Sequence, residues 1–161
     1  MPEEESLESL RDLACRCARE GGRLALEMQD GEIGETESKS SITDIVTKAD
    51  QAVESHITAL INGERPGDTV LGEETGTMEG TSGLRWVVDP IDGTVNFYYR
   101  YWGWVVSVAV EDARQNQLAG AVFDPVHDEL YDALKGGGVR LNGHPPDPFR
   151  RTPPDSIDQA L

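Results

Sequence analysis

The sequence is poor in cysteine, in basic residues and in long apolar runs, and each shortage excludes something. Only Cys15 and Cys17 are present. They lie two apart on a predicted helix, so they point to different faces and cannot easily bridge. No second Cys or His pair completes a zinc pattern. His56, His127 and His144 are scattered, and each reads as structural or surface. Fourteen Lys and Arg stand against thirty Asp and Glu, a net charge of −16. No basic patch is then available to neutralise phosphates, which argues against nucleic acid or an anionic membrane as partner. A small phosphate ester held through a metal is not excluded. No run approaches the length of a membrane span. The acidic start MPEEES lacks the apolar core of a signal peptide, so a cytoplasmic protein is expected.

What is present is enough for one domain with a real core: 161 residues, 37% hydrophobic and 27% charged. The chain is organised around Trp86 to Phe97, reading WVVDPIDGTVNF. Trp86, Val87 and Val88 read as a buried β-strand, because β-branched and aromatic residues suit a pleated, packed surface. Proline cannot donate to a ladder and presses its predecessor towards extended geometry, so Asp89 is expected at the strand's carboxyl end. Asp92-Gly93-Thr94 then reads as a turn opening a short helix, with Asp92 as cap and Gly93 allowing close backbone approach. Asp-Pro and Asp-Gly are also ordinary turn dipeptides. The balance tips when Gly72-Glu73-Glu74 joins, since it too follows a short apolar run, Val70-Leu71. Carboxylates gathered in one pocket repel, which raises their pKa values unless a cation neutralises them. A hard divalent cation holding a phosphate fits such a pocket.

Taken in order, Leu7, Leu10, Ala14, Cys17, Ala18, Gly21, Leu24, Ala25 and Met28 recur at helical spacing. They predict an amphipathic helix over 6–28 that covers one face of a sheet, with both cysteines structural. A mobile loop is expected over 29–39. Thr47 is expected to cap a helix over 50–62 that buries Val53, Ile57, Leu60 and Ile61 and stops at Asn62-Gly63. Residues 76–83 read as a polar connection. The aromatic cluster Phe97, Tyr98, Tyr99, Tyr101, Trp102 and Trp104 holds six of the chain's ten aromatics. Core or subunit-interface packing explains it better than substrate contact. Strands over 105–111, 118–123, 129–134 and 139–141 then form a meander. Gly136-Gly137-Gly138 is followed by neither a helix nor a Lys-Ser/Thr pair, so it is no phosphate loop. Five prolines crowd a tail from residue 144 onward. Helices followed by antiparallel hairpins imply an α+β fold.

Three segments together resemble a known family. WVVDPIDGTVNF is similar to the Asp-Pro-Ile-Asp-Gly-Thr signature of the inositol monophosphatase family of Mg-dependent, lithium-sensitive phosphatases. LGEE at 71–74 resembles its Gly-Glu-Glu motif, and KSSITDIVTKAD at 39–50 its Lys-Ser and Val-Thr-x-x-Asp segment. The likeness runs from the first helix to Gly143 and is faint thereafter. The resemblance implies helices packed on an antiparallel sheet, the amino-terminal half of a layered α/β sandwich. Residues 1–143 would be the metal- and phosphate-binding portion, and 144–161 a proline-rich tail leading towards an absent second half.

Carried over residue by residue, the resemblance implies that Glu73, Asp89 and the backbone carbonyl of Ile91 hold a first Mg²⁺. Asp89 would bridge to a second ion that Asp92 helps to bind. Gly93 and Thr94 would hold the phosphate through their amides, with Ile91 and Asp92 beside them on the substrate side. Thr94 and Glu73 would position and activate the attacking water, while Asp50 orients Thr94. Glu74 would be a supporting acid, and Lys39 would lie on a loop near the site's mouth. The implied reaction is phosphomonoester hydrolysis on a small-molecule phosphate ester, with no nucleic acid or membrane partner and with a homodimer as an option.

Departures are also visible. No Trp lies beyond Trp104, so the family's Trp-Asp motif, whose aspartate completes the second metal site, has no counterpart. Trp102 stands where many members carry proline, and Val95 where threonine is commoner. Three readings follow: an inositol-phosphate-type phosphatase; a neighbouring phosphatase acting on fructose bisphosphate, histidinol phosphate or an adenosine bisphosphate; or a truncated chain that binds metal or a partner without turnover.

Overall fold

A computed structural model describes residues 4–35 and 42–146. Helix α1 (Glu4–Glu35) and helix α2 (Ile42–Glu64) lead into strands β1 (Thr69–Gly72), β2 (Gly76–Met78) and β3 (Leu84–Asp92). A short helix α3 (Thr94–Tyr98) follows, then strands β4 (Val105–Asp112), β5 (Gln117–Asp124), β6 (Glu129–Leu134) and β7 (Gly138–Leu141). The seven strands make one sheet in the order β2-β1-β3-β4-β5-β6-β7. The α+β class expected from the sequence holds.

The sheet is mixed rather than antiparallel. β1 runs parallel to β3, with Val70 opposite Trp86 and Gly72 opposite Val88. The reason is the link: β2 turns back along the outer edge of β1, so the chain re-enters the sheet at β3 in the direction β1 had. The expected polar connection over 76–83 therefore contains an edge strand, all of it exposed. The polarity was read correctly, since an edge strand facing solvent needs no apolar pattern. From β3 to β7 every pairing is antiparallel, as the meander predicts.

One sheet face is covered by the helices. α1 crosses β4, β5 and β6 and lies along α2, and α2 reaches β3. The core between them takes Leu10, Leu13, Cys17 and Ala18 from α1, Val53, Ile57 and Ile61 from α2, and Trp86, Val88, Val106, Val108, Val110 and Phe123 from the sheet. Two glycines let these layers close. A Cβ on Gly21 would meet Ile57 Cδ1 at 2.8 Å, and one on Gly22 would meet the Phe123 ring at 2.5 Å.

Both helices exceed their expected limits. α1 continues through residues 29–35, where the sequence reads as loop. A tertiary contact overrides the local polarity: Gln29 is buried, and its Nε2 donates to the Phe97 carbonyl at 2.6 Å. Arg100 grips the same turn, donating to the Gln29 carbonyl at 2.8 Å and to Asp30 at 3.2 Å. α2 begins at Ile42, so Thr47 lies within the helix and not at its start. Residues 36–39 of the expected loop, Lys39 among them, and the proline-rich tail from residue 147 lie outside the described residues. Among the described residues no helix is long and apolar enough to cross a membrane.

Candidate metal and phosphate site

The site lies where β1 and β3, parallel neighbours, both end. Because they run the same way, their carboxyl ends deliver Glu73 and the Asp89–Asp92 segment to one edge of the sheet. The sequence predicts Asp89 at the end of its strand, but β3 continues to Asp92. Asp89 pairs with Ser107 and Asp92 with Val105, and the register is irregular between them. The strand thus bends at Pro90-Ile91 instead of stopping, as expected of a proline that cannot join the ladder.

Asp92 does not cap the following helix. Gly93 occupies the cap position at φ 93°, and no side chain caps α3. That φ lies in the left-handed region where a Cβ is strained. A Cβ there would also strike the Gly103 carbonyl at 2.7 Å and Trp104 Cα at 3.1 Å. Backbone meets backbone at this point, and only glycine allows it. Asn96 Nδ2 donates to the Gly103 carbonyl at 2.9 Å and closes the 96–103 loop over the turn. The Thr94 hydroxyl points back and donates to the Ile91 carbonyl at 3.3 Å.

The carboxylates interact as the repulsion argument requires. Burial pushes the Asp50 carboxyl up to about 7, and the charges of Glu74, Glu73, Asp89 and Glu54 push the same way. Burial also raises Asp89 to about 6, reinforced by Glu73 and Asp92. Among the described residues, Asp89 Oδ1 is buried with no hydrogen-bond partner. An orphaned carboxylate oxygen among other acids is costly in protein alone. Hard oxygen donors of this kind suit Mg²⁺. Among the described residues, no three His, Cys, Asp or Glu side chains are already drawn into a coordination shell. A cation would pull these acids together against their repulsion. On donor chemistry the residues fit the ion.

Sequence reasoning missed Glu54. It is fully buried on α2, one turn beyond Asp50. Its Oε2 accepts the Glu74 amide at 2.8 Å, and its Oε1 accepts the Thr75 amide at 2.8 Å and the Thr75 hydroxyl at 2.5 Å. The one available signal was an acid on the apolar face of α2, between Val53 and Ile57.

Other candidates fall away from the site. His56 meets Glu20 at 2.9 Å and His127 meets Asp124 at 2.8 Å, while His144 bridges Leu141 through backbone. Cys17 is buried and Cys15 half-buried, both unpaired in a disulfide. Burial pushes their thiols up to about 12 and about 11, so both are inert at neutral pH. The aromatic cluster divides. Phe97 and Trp104 are buried edge to face at 5.0 Å, whereas Tyr99, Tyr101 and Trp102 are exposed. A cleft of about 440 Å³ lies at the opposite end of the strands, lined by Thr69, Thr77, Arg85, Asp112 and Gln115, and holds none of the candidate ligands.

Comparison with known proteins bears on the family and the fold. A family model, described as the inositol monophosphatase family, matches residues 6–161. The Nus factor SuhB of Escherichia coli K12 is 37% identical over 134 residues, which is 83% of this chain and 50% of that protein. Inositol monophosphatase-II from Staphylococcus aureus MSSA476 superposes with a TM-score of 0.73 at 30% identity, covering 87% of this chain and 52% of that one. A 2'AMP-bound SaIMPase-II structure superposes at a TM-score of 0.72 and 30% identity, covering 87% and 50% respectively. The chain spans about half the length of the curated relatives it matches.

Proposed function

This chain belongs to the inositol monophosphatase family, and from that premise we propose that it carries the Mg²⁺- and phosphate-binding portion of a phosphomonoester hydrolase. The observation that carries the reading is Asp89, a half-buried carboxylate whose buried Oδ1 has no hydrogen-bond partner among the described residues and which burial, Glu73 and Asp92 raise to about 6. Glu73, Asp89 and the Ile91 carbonyl would hold one ion, and Asp89 with Asp92 a second. When bound, the ions would polarise the phosphoryl oxygens, lower the pKa of the attacking water and stabilise the leaving alkoxide.

The chain's own residues do the rest. Gly93 and Thr94 would present backbone amides to the phosphate, on a turn whose close backbone approach only glycine permits. Thr94 and Glu73 would orient the water, and Glu73 would accept its proton. Asp50, raised to about 7, would settle the Thr94 side of the site, with Glu74 as a supporting acid. Hydrolysis would be a direct in-line displacement with no covalent intermediate on the protein.

The substrate is an inositol-type or related polyol phosphate. A second reading, a nucleotide phosphate, draws on the 2'AMP bound by one similar structure. The Nus factor name of the E. coli relative raises a role in a transcription assembly. The net charge of −16 makes a protein contact the better route to such an assembly than nucleic acid itself. The test is phosphate release from inositol 1-phosphate by the 161-residue chain, with and without Mg²⁺ and with added lithium. Magnesium-dependent, lithium-sensitive release supports the hydrolase. The absence of both phosphate release and a Mg²⁺-dependent rise in melting temperature would overturn the reading.

A further inference from the structure

We infer that Glu54 is the positioning residue of this site: its buried carboxylate clamps the 73–75 turn and so sets where Glu73 stands. The inference rests on the reading of Glu73 as a cation ligand. Glu54 itself touches neither the cation nor the substrate in this scheme.

Burying a carboxylate is expensive unless it is paired or fully hydrogen-bonded. Among the described residues, Glu54 accepts three hydrogen bonds, from two backbone amides and one hydroxyl, and none from a cation. Both oxygens of the carboxylate meet an N–H or O–H donor. The three donors belong to the two residues that follow Glu73. On the other side of Glu73, Gly72 lies directly over the same carboxylate. A Cβ on Gly72 would sit 2.2 Å from Glu54 Oε1 and 2.3 Å from its Cδ. Glu73 is therefore held between two neighbours, each registered against one side chain of α2.

The same helix supplies Asp50, one turn before Glu54 and on the same face. α2 thus carries both Asp50 and the side chain that holds the turn after β1. A ligand on an unclamped turn would wander by more than the tolerance of a coordination shell. Removing a partner that orients a ligand typically weakens metal affinity by about 10–100-fold.

The experiment uses the full 161-residue chain with Mn²⁺ as probe, read by loss of the free-ion EPR signal, and with thermal melting of the metal-free chain as the fold check. Glu54→Asp keeps the charge but withdraws the carboxylate, Glu54→Gln keeps the reach but loses the charge, and Gly72→Ala displaces an intact Glu54. All three are expected to weaken Mn²⁺ binding by about 10–100-fold, and by more than any change in melting temperature accounts for. Wild-type binding by Glu54→Asp and Gly72→Ala would overturn the inference, even if Glu54→Gln binds poorly, because charge alone would then explain the effect. Glu73→Gln serves as the separate control. If it binds Mn²⁺ as the wild type does, the ligand reading itself fails and takes this inference with it. Should the Glu54 variants not fold, Thr75→Val removes only the hydroxyl bond. A several-fold loss of affinity supports the clamp, and unchanged affinity overturns it.

Discussion

Asp68 Oδ2 accepts the indole N–H of Trp86 at 2.9 Å, and this bond ties the residue before β1 to the first part of β3. The same carboxylate accepts Arg65 Nε at 2.8 Å and the Ser82 hydroxyl at 2.6 Å. Burial pushes the Asp68 carboxyl up, but the three hydrogen bonds and the Arg65 charge outweigh it, so its pKa lies below the ordinary value. A depressed carboxylate stabilises the fold above its unfolded pKa, and that contribution disappears as pH falls through the folded one. Asp68→Asn should therefore cost about 1–3 kcal/mol near neutral pH. The gap from the wild type should hold down to about pH 4, the unfolded value, and close below it. Urea denaturation at a series of pH values measures this directly.

Gly22→Ala sets two effects against each other. In a helix interior the change ordinarily gains about 0.5–1 kcal/mol by reducing backbone entropy in the unfolded chain. Here the new Cβ would lie 2.5 Å from Phe123 Cδ1 and 2.8 Å from Pro125 Cγ. Phe123 is buried between α1 and the sheet, so it cannot swing aside cheaply. Overpacking of about 1–3 kcal/mol wins. The variant should melt at a lower temperature than the wild type.

Asp89→Asn should separate stability from function. In the metal-free chain it removes a carboxylate whose ionisation is opposed by burial, Glu73 and Asp92, so stability above about pH 6 should rise or hold. The Mg²⁺-dependent increase in melting temperature should vanish, since a ligand stabilises only the state it binds. Under the proposed reading, any Mg²⁺-dependent turnover should be abolished with the fold intact. Unchanged turnover would sink the assignment of Asp89 as a metal ligand.

The aromatic cluster should split in a truncation series. Trp102 is 75% exposed, and Trp102→Ala should change stability by no more than about 0.5 kcal/mol. Phe97 and Trp104 are fully buried against one another, and truncating either to Ala should cost about 3–5 kcal/mol. Equal effects from Trp102 and Trp104 would contradict the division of the cluster seen here.

Local patterning in the sequence determined much of this fold. Alternation marked β4, β5, β6 and β7 to within a residue or two, because a strand's side-chain period is written in its own residues. The 3.6-residue recurrence of apolar positions marked both helices for the same reason. Acids placed after the apolar run Val70-Leu71 marked the end of β1, and the three family segments named the chemistry they imply. Contacts between distant residues decided what remained. Gln29 extends α1 because the Phe97 carbonyl, 68 positions away, accepts its amide. β3 passes through Asp89 because β4 keeps pairing with it on both sides of the bend. β1 lies parallel to β3 because β2 folds back on its outer edge, an exposed polar strand without any apolar signal. Glu54 is a plain acid in the sequence, and only the approach of Gly72 and the 74–75 amides makes it a clamp. Each of these outcomes depends on which surfaces meet, a property of the folded chain as a whole that no window of residues carries.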